Sequence, residues 1–181
     1  MRRAWGVGVM GLMFACTSHA PPEQARQQPA ESRDEPGGDP TRISCGIERP
    51  GPPLTISQGI AGVVCYWRGD FMPSPDGATG TIRPVQRTIE VHAATRDADV
   101  KRKADMTYID SVATPRIATI QSRDDGWFEV SLPPGTYSLF VHEPNGLYAN
   151  RWNDEGIIFP VVVEAGAVAR VQFDITHESV E

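Results

Sequence analysis

The chain has 181 residues, of which 40% are hydrophobic and 22% are charged, and its formal net charge is −6 at pH 7. This length holds one ordinary domain with room for extensions. An acidic chain without a basic cluster argues against nucleic acid and against anionic lipid head groups as partners.

The first fifteen residues are typical of an export signal. Arg2 and Arg3 precede an uncharged apolar stretch from Ala4 to Ala15, which is too short to span a bilayer. The end of this stretch, Leu12-Met13-Phe14-Ala15-Cys16, resembles the bacterial lipobox, which implies that Cys16 becomes the lipidated first residue of the mature protein. Loss of Arg2 and Arg3 with the signal would change the net charge from −6 to −8. The alternative is ordinary secretion with a free Cys16.

The residue after the lipidation site bears on location. Position 17 is Thr, whereas an Asp there retains many lipoproteins of Gram-negative bacteria in the inner membrane. By analogy we expect an outer-membrane lipoprotein, periplasmic or surface-exposed, held firmly by several acyl chains. No later stretch approaches the ~20 apolar residues of a membrane helix, so the membrane is expected as a partner only through the lipidated N-terminus.

Residues 16–44 are rich in Pro, Gln, Glu, Arg and Gly and contain almost no large apolar side chains. Such a segment cannot bury enough surface to offset the entropy lost on ordering, which predicts a disordered linker. Cys45 and Cys65 are the cysteines that remain once Cys16 is acylated, and an oxidising compartment predicts a disulfide between them. Two free buried thiols are the alternative, because sequence alone does not fix the geometry.

Residues 45–181 are predicted to form one β domain. Seven alternating or β-rich runs are bounded by Gly, Pro, Asn and Asp. They are 60–67, 88–94, 116–122, 127–132, 136–142, 157–164 and 168–175. Seven short strands predict an all-β sandwich, whereas the charged stretch 97–108 predicts an inserted loop or a short surface helix.

Period-2 alternation indicates which side chains point into the core. Three groups of apolar residues each share one face of a strand: Phe128, Val130 and Leu132; Tyr137, Leu139 and Val141; Val171, Phe173 and Ile175.

Turn residues separate the runs. Asp125-Gly126 predicts a hairpin joining the third and fourth runs, because Gly accepts the positive φ of a tight turn. Pro133-Pro134-Gly135 predicts the end of the fourth run, and Gly166 predicts a turn between the last two.

Three stretches carry a family resemblance. They are Gly-Ile-Ala-Gly-Val-Val from Gly59, the block Asp-Gly-x-Phe-x-Val-x-Leu-Pro-Pro-Gly-x-Tyr-x-Leu from Asp125, and Val-x-x-Gly from Val163. Over residues 59–176 the chain resembles the carboxypeptidase regulatory-like family. The resemblance implies a seven-stranded, transthyretin-like (prealbumin-like) Greek-key β-sandwich that acts as an accessory domain.

The sequence predicts neither an enzyme, nor a cofactor, nor a metal centre. It contains no Gly-x-Ser-x-Gly elbow, no His-Glu-x-x-His and no Gly-rich phosphate loop. Its four histidines are far apart in the sequence, and His142 beside Glu143 is interpreted as a solvated pair. An enzymatic role would require distant groups such as His92 and His142 to converge in one pocket.

Loop 145–156 holds the candidate ligand-binding residues. They are Asn145, Tyr148, Asn150, Trp152, Asn153, Asp154 and Glu155. Aromatic rings stack on sugars while amides and carboxylates bind hydroxyl groups, so this composition suits a carbohydrate subsite. The alternative is that the two rings pack as a lid and the polar residues cap turns. Sugar binding predicts that Tyr148 and Trp152 are both exposed and share one ligand, whereas protein binding predicts an apolar patch or a bare strand edge.

The sequence therefore predicts a non-catalytic, lipid-anchored envelope protein that acts as a structural or interaction module. Its expected partners are the membrane and a glycan or an envelope protein. The first alternative is a carbohydrate-binding module that uses loop 145–156, and the second is a hydrolase accessory or cryptic enzyme.

Overall fold

The computed structural model describes Cys45 and residues 51–73, 75, 77 and 79–180. The predicted signal sequence, Cys16 and the whole of the predicted linker, residues 16–44, lie outside these residues. Within the described part, no helix has the length and apolar character needed to cross a membrane.

The described residues form eleven strands and one short 3-10 turn at Asp97–Asp99. The strands are β1 (Gly59–Asp70), β2 (Thr81–Pro84), β3 (Thr88–Ala93), β4 (Val100–Arg102), β5 (Ile109–Val112), β6 (Arg116–Gln121), β7 (Trp127–Ser131), β8 (Gly135–Glu143), β9 (Gly146–Tyr148), β10 (Pro160–Val163) and β11 (Val168–Val180).

The first sheet is built around β1. Strand β11 runs parallel to β1 along its whole length, from Gly59 opposite Val168 to Asp70 opposite Val180. On its other side β1 pairs antiparallel with β7 in its first half and with β2 in its second half. The apolar run from Gly59 to Tyr66 is buried, as expected for a central strand covered on both faces.

The second sheet has seven strands, in the order β4-β5-β9-β8-β3-β6 with β10 beside β8. Strand β8 pairs with β3 on one side. On its other side, the beginning of β8 pairs with β10 and its end pairs with β9. This arrangement puts β3 between β6 and β8, so outward-facing side chains of three strands become neighbours.

The main hydrophobic core is formed by residues of both sheets. All nine side chains assigned to the core by alternation belong to this core or pack against it. The rings of Phe159 and Phe173 stack in it with their centroids 4.2 Å apart. The two-sheet, all-β architecture expected of a sandwich is therefore confirmed.

The predicted hairpin at Asp125-Gly126 is wrong. The turn forms, with Gly126 at φ 77° and its N–H bonded to the carbonyl of Arg123, but β6 pairs with β3 whereas β7 pairs with β1. Ile120 of β6 and Phe128 of β7 face the same core from opposite sheets. A tight turn specifies chain reversal and leaves the pairing to the core, and Gly166 likewise joins strands of different sheets.

The predicted count of seven strands is also too low. All seven runs contain strands, although the run 157–164 shortens to β10, and β2, β4, β5 and β9 were not predicted. The stretch 97–108 begins with the 3-10 turn and continues into β4, which pairs with β5. The exposed 3-10 turn agrees with the predicted short surface helix, whereas the edge strand Val100–Arg102 within this stretch was not predicted.

The disulfide between Cys45 and Cys65 is confirmed, with its Cα atoms 5.2 Å apart. Cys65 lies in the buried part of β1, within a second apolar cluster that includes Ala61, Val63 and Trp127. The bond ties residue 45 to the centre of the first sheet.

Candidate functional site

Tyr148 is placed where no ligand can stack on it. It lies at the end of β9 and is 4% exposed, and its hydroxyl is 3.1 Å from Oγ1 of Thr176. Its ring packs edge-on against His177 at 5.2 Å. The condition set by sugar binding, that Tyr148 and Trp152 are both exposed and share one ligand, is not met, because Tyr148 packs into the core as the alternative interpretation held.

Trp152, in contrast, is 45% exposed. The guanidinium of Arg102 lies over its ring, 5.5 Å from the centroid. Arg102 is itself only 11% exposed, and it donates hydrogen bonds to Oδ1 of Asp97 at 2.6 Å and to the carbonyl of Met106 at 3.2 Å. The ring is thus accessible to solvent, while its contact with Arg102 holds its orientation.

The polar residues of loop 145–156 mostly shape the loop. Oδ1 of Asn153 accepts a hydrogen bond from the N–H of Ile157 at 2.9 Å, and Nδ2 of Asn150 donates to Oγ1 of Thr176. Asn145, Asp154 and Glu155 are exposed. Asn153 therefore caps a turn, as the alternative interpretation held, whereas ligand binding by the exposed residues stays a prediction.

A polar cluster that the sequence did not reveal surrounds Glu90. Ile89 and Val91 of β3 point into the core, so Glu90 and His92 point to the opposite face of the sheet. His92 Nε2 is 2.9 Å from Oε2 of Glu90, and His142 Nε2 of β8 is 2.9 Å from Oε1. Arg116 Nη1 of β6 donates to the same Oε1 at 2.7 Å. Three strands thus place three donors around one buried carboxylate.

These donors fix the charge of Glu90. Burial would raise the pKa of this carboxyl group, but hydrogen bonds from His92, His142 and Arg116 outweigh burial and lower the pKa to about 2. Glu90 therefore carries a full negative charge at neutral pH.

His92 lies between two acceptors. Its Nδ1 is 3.1 Å from the carbonyl oxygen of Thr114, and its Nε2 faces the Glu90 carboxylate. A neutral imidazole donates from only one nitrogen, so both hydrogen bonds form together only when the ring carries two protons. The two contacts link β3 to the segment that precedes β6.

A groove with a volume of about 370 Å³ opens beside this cluster. We call it the Glu90 groove. It is lined by residues of the second sheet and the segment that precedes β6, namely Glu90, His92, Ser111, Val112, Thr114, Arg116 and Leu147.

The interpretation of His142 and Glu143 as a solvated pair is wrong. Glu143 is buried, and its carboxylate accepts hydrogen bonds from Arg87 Nε at 2.5 Å and His177 Nε2 at 3.0 Å. His142 points the other way, toward Glu90. Successive residues of a strand face opposite sides of the sheet, which separates the two neighbours.

The sequence analysis did not identify Glu90 or Arg116. It did state that an enzyme would require distant groups such as His92 and His142 to converge, and both of these side chains reach Glu90. One signal was available, since alternation in β3 puts Glu90 and His92 on the same face. In the described part of the chain, no group of three or more His, Cys, Asp or Glu residues is arranged to hold a metal ion. Every buried side-chain nitrogen or oxygen there has a hydrogen-bond partner.

Comparison with known proteins identifies no relative of this chain. No protein-family model, no curated protein and no solved structure matches this chain.

Proposed function

We propose that this chain is a non-catalytic, lipid-anchored module of a Gram-negative cell envelope that binds a partner protein through the surface around Trp152. The anchor is Cys16 in the outer membrane, and the partner meets the β domain beyond the linker. We assign the domain to the transthyretin-like Greek-key sandwiches of the carboxypeptidase regulatory-like type. The support is the residue pattern at Gly59, Asp125 and Val163, together with the two-sheet all-β architecture.

One observation carries the proposal: Trp152 is exposed and held in place. Arg102, fixed by Asp97, supports one face of the ring, and the exposed side chain of Met106 lies in the same turn that Arg102 binds. Tryptophan and arginine dominate the binding energy of protein interfaces. A ring that is already oriented loses less conformational entropy when a partner docks. We call Arg102, Met106 and Trp152 the Trp152 surface.

The buried carboxylates support a role without catalysis. A Glu90 carboxyl group with a pKa of about 2 has no proton to donate at neutral pH and is a weak base. Glu143 accepts hydrogen bonds from Arg87 and His177 inside the protein. The groups that converge are therefore engaged with one another, which favours the interaction module over the cryptic enzyme.

Photo-crosslinking in intact cells tests the proposal. A photo-reactive amino acid at Met106 of the full-length chain is expected to capture a protein, because Met106 is exposed on the Trp152 surface. The same group at Val162, an exposed position on β10, is the control and is expected to capture none. The adduct should disappear in Trp152→Ala. Adducts of equal yield from both positions, or an adduct that persists without Trp152, would contradict the proposal.

The lipid anchor is tested in the same cells. Cys16→Ser is expected to move the protein from the membrane fraction to the soluble fraction and to abolish incorporation of labelled fatty acid. Unchanged incorporation of the label would show that Cys16 is not the lipidation site.

Carbohydrate binding is the second candidate, because a single exposed tryptophan face can stack on one sugar ring. It predicts a melting temperature that rises with envelope glycans and does not rise in Trp152→Ala. A glycan-dependent rise without a protein adduct would replace the proposed partner by a sugar.

A further inference from the structure

None of the residues that line the Glu90 groove belongs to the Trp152 surface, and the groove has the size of a small-molecule site. Its volume of about 370 Å³ lies at the lower end of the range that such sites span. Val112 and Leu147 give it an apolar wall, while Ser111, Thr114 and Arg116 give it polar groups.

The groove presents a cation to solvent. Glu90 supplies the single negative charge among the lining residues, and its carboxylate is buried. Lys101 and Asp110, on the adjoining strands β4 and β5, pair with each other at 3.0 Å and leave no net charge. Arg116 is a permanent cation and is exposed, so an incoming anion meets its guanidinium before it meets Glu90.

Arg116 has donors to spare for such an anion. A guanidinium has five N–H groups, and among the described residues Arg116 uses only Nη1, on Glu90. Its side chain is 57% exposed. The bond to Glu90 fixes the guanidinium at the groove, and its other N–H groups can bind a carboxylate in the planar two-point manner that Arg favours.

Ser111 provides a second donor. It is exposed at the groove, and its hydroxyl has no hydrogen-bond partner among the described residues. Thr114 has its hydroxyl within hydrogen-bond distance of Thr95 Oγ1, so it is already engaged.

We propose that the Glu90 groove binds a small organic carboxylate, whose anionic group pairs with Arg116 and Ser111 and whose apolar part rests on Val112 and Leu147. Glu90 and His92 act as positioning residues that hold Arg116 and the segment before β6. The planar guanidinium of Arg116 suits a carboxylate, and the apolar wall favours an organic anion over an inorganic one.

NMR titration tests this site. The probe is sodium propionate, added to the ¹⁵N-labelled chain from residue 16 that carries Cys16→Ser, with sodium chloride as the ionic-strength control. Saturable shifts are expected for the amide signals of Ser111, Val112 and Arg116. Arg116→Gln should weaken binding about tenfold, since it removes a hydrogen bond between charged groups. Arg123→Gln is the matched control, because Arg123 is 56% exposed and pairs with Asp125 away from the groove.

Ser111→Ala keeps the test decisive if Arg116→Gln fails to fold, because this exposed side chain has no described partner to lose, and weaker binding of propionate is expected. Shifts that do not saturate, that chloride reproduces, or that both variants leave unchanged would overturn the proposal. Inorganic phosphate that binds more tightly than propionate would overturn the assignment of a carboxylate. Because the Trp152 surface is not involved, Trp152→Ala should leave propionate binding unchanged.

Discussion

A buried charge is tolerated only when it is paired and hydrogen-bonded, and Glu90 shows how many partners this takes. Its side chain is almost fully buried and interacts with His92 of its own strand, His142 of β8 and Arg116 of β6. Loss of the carboxylate would leave the buried His92 without the acceptor at its Nε2. One residue therefore links three neighbouring strands on the outer face of the second sheet.

Acid unfolding should expose this role. The pKa of Glu90 falls from an ordinary value of 4.5 to about 2, so its contribution to the free energy of unfolding is complete above pH 4.5 and is lost as the pH falls toward 2. The shift corresponds to on the order of 3 kcal/mol. Glu90→Gln should lower stability at pH 7 and flatten its decline between pH 4.5 and 2, as measured by urea unfolding at several pH values.

A control separates Glu90 from the other carboxylates. Asp154→Asn changes an exposed acid at the tip of loop 145–156 and is expected to follow the wild-type pH dependence. If Glu90→Gln and wild type lost stability in parallel over this pH range, Glu90 would not be the group that titrates.

At the scale of the elements, alternation predicted the long strands and failed on the short ones. Strands β4, β5 and β9 have three or four residues, too few to show a period. They form because the backbone of an adjacent strand is free to pair with them, as where Val141 of β8 pairs with Tyr148 of β9. The strand that holds Tyr148 was therefore not predicted, although the burial of its ring agrees with the alternative in which the loop aromatics pack as a lid.

The Glu90 cluster was only partly predictable for the same reason. The positions of Glu90 and His92 on one face follow from the two-residue spacing within β3. The approach of Arg116 and His142 depends on the order β6-β3-β8, which no local pattern specifies. Trp152 differs, since its place in a polar loop after β9 was enough to mark it as a candidate.

The turns at Gly126 and Gly166 both connect the two sheets, and they are predicted to differ in how far an alanine lowers stability. A Cβ atom at Gly126 would lie 2.6 Å from the carbonyl oxygen of Val64, whereas a Cβ at Gly166 would meet no atom within 4 Å. Both residues have positive φ, so each alanine substitution costs about 1 kcal/mol for the backbone conformation alone. Gly126→Ala should cost more than Gly166→Ala, by about 1–3 kcal/mol of overpacking, as measured by urea unfolding. Equal losses would show that β1 shifts to accept the methyl group.

At the scale of the whole molecule, the disulfide stabilises the fold chiefly by lowering the conformational entropy of the unfolded chain. Cys45 and Cys65 are 20 residues apart, and closing such a loop stabilises the folded state by about 3 kcal/mol in the chain-entropy account. A reducing agent should therefore lower the urea midpoint of the wild type without affecting the double variant Cys45→Ala, Cys65→Ala. An unchanged wild-type midpoint, with reduction verified by thiol labelling, would contradict this estimate.

The parallel pairing of β1 with β11 has a consequence for how the protein folds. Residue 59 and its partner in the sheet, residue 168, are separated by more than a hundred residues. Bringing segments so far apart together costs chain entropy before their contacts form, which slows folding. Until β11 pairs, one edge of the buried strand β1 is bare, and an unpaired apolar edge can associate with a second unfolded chain.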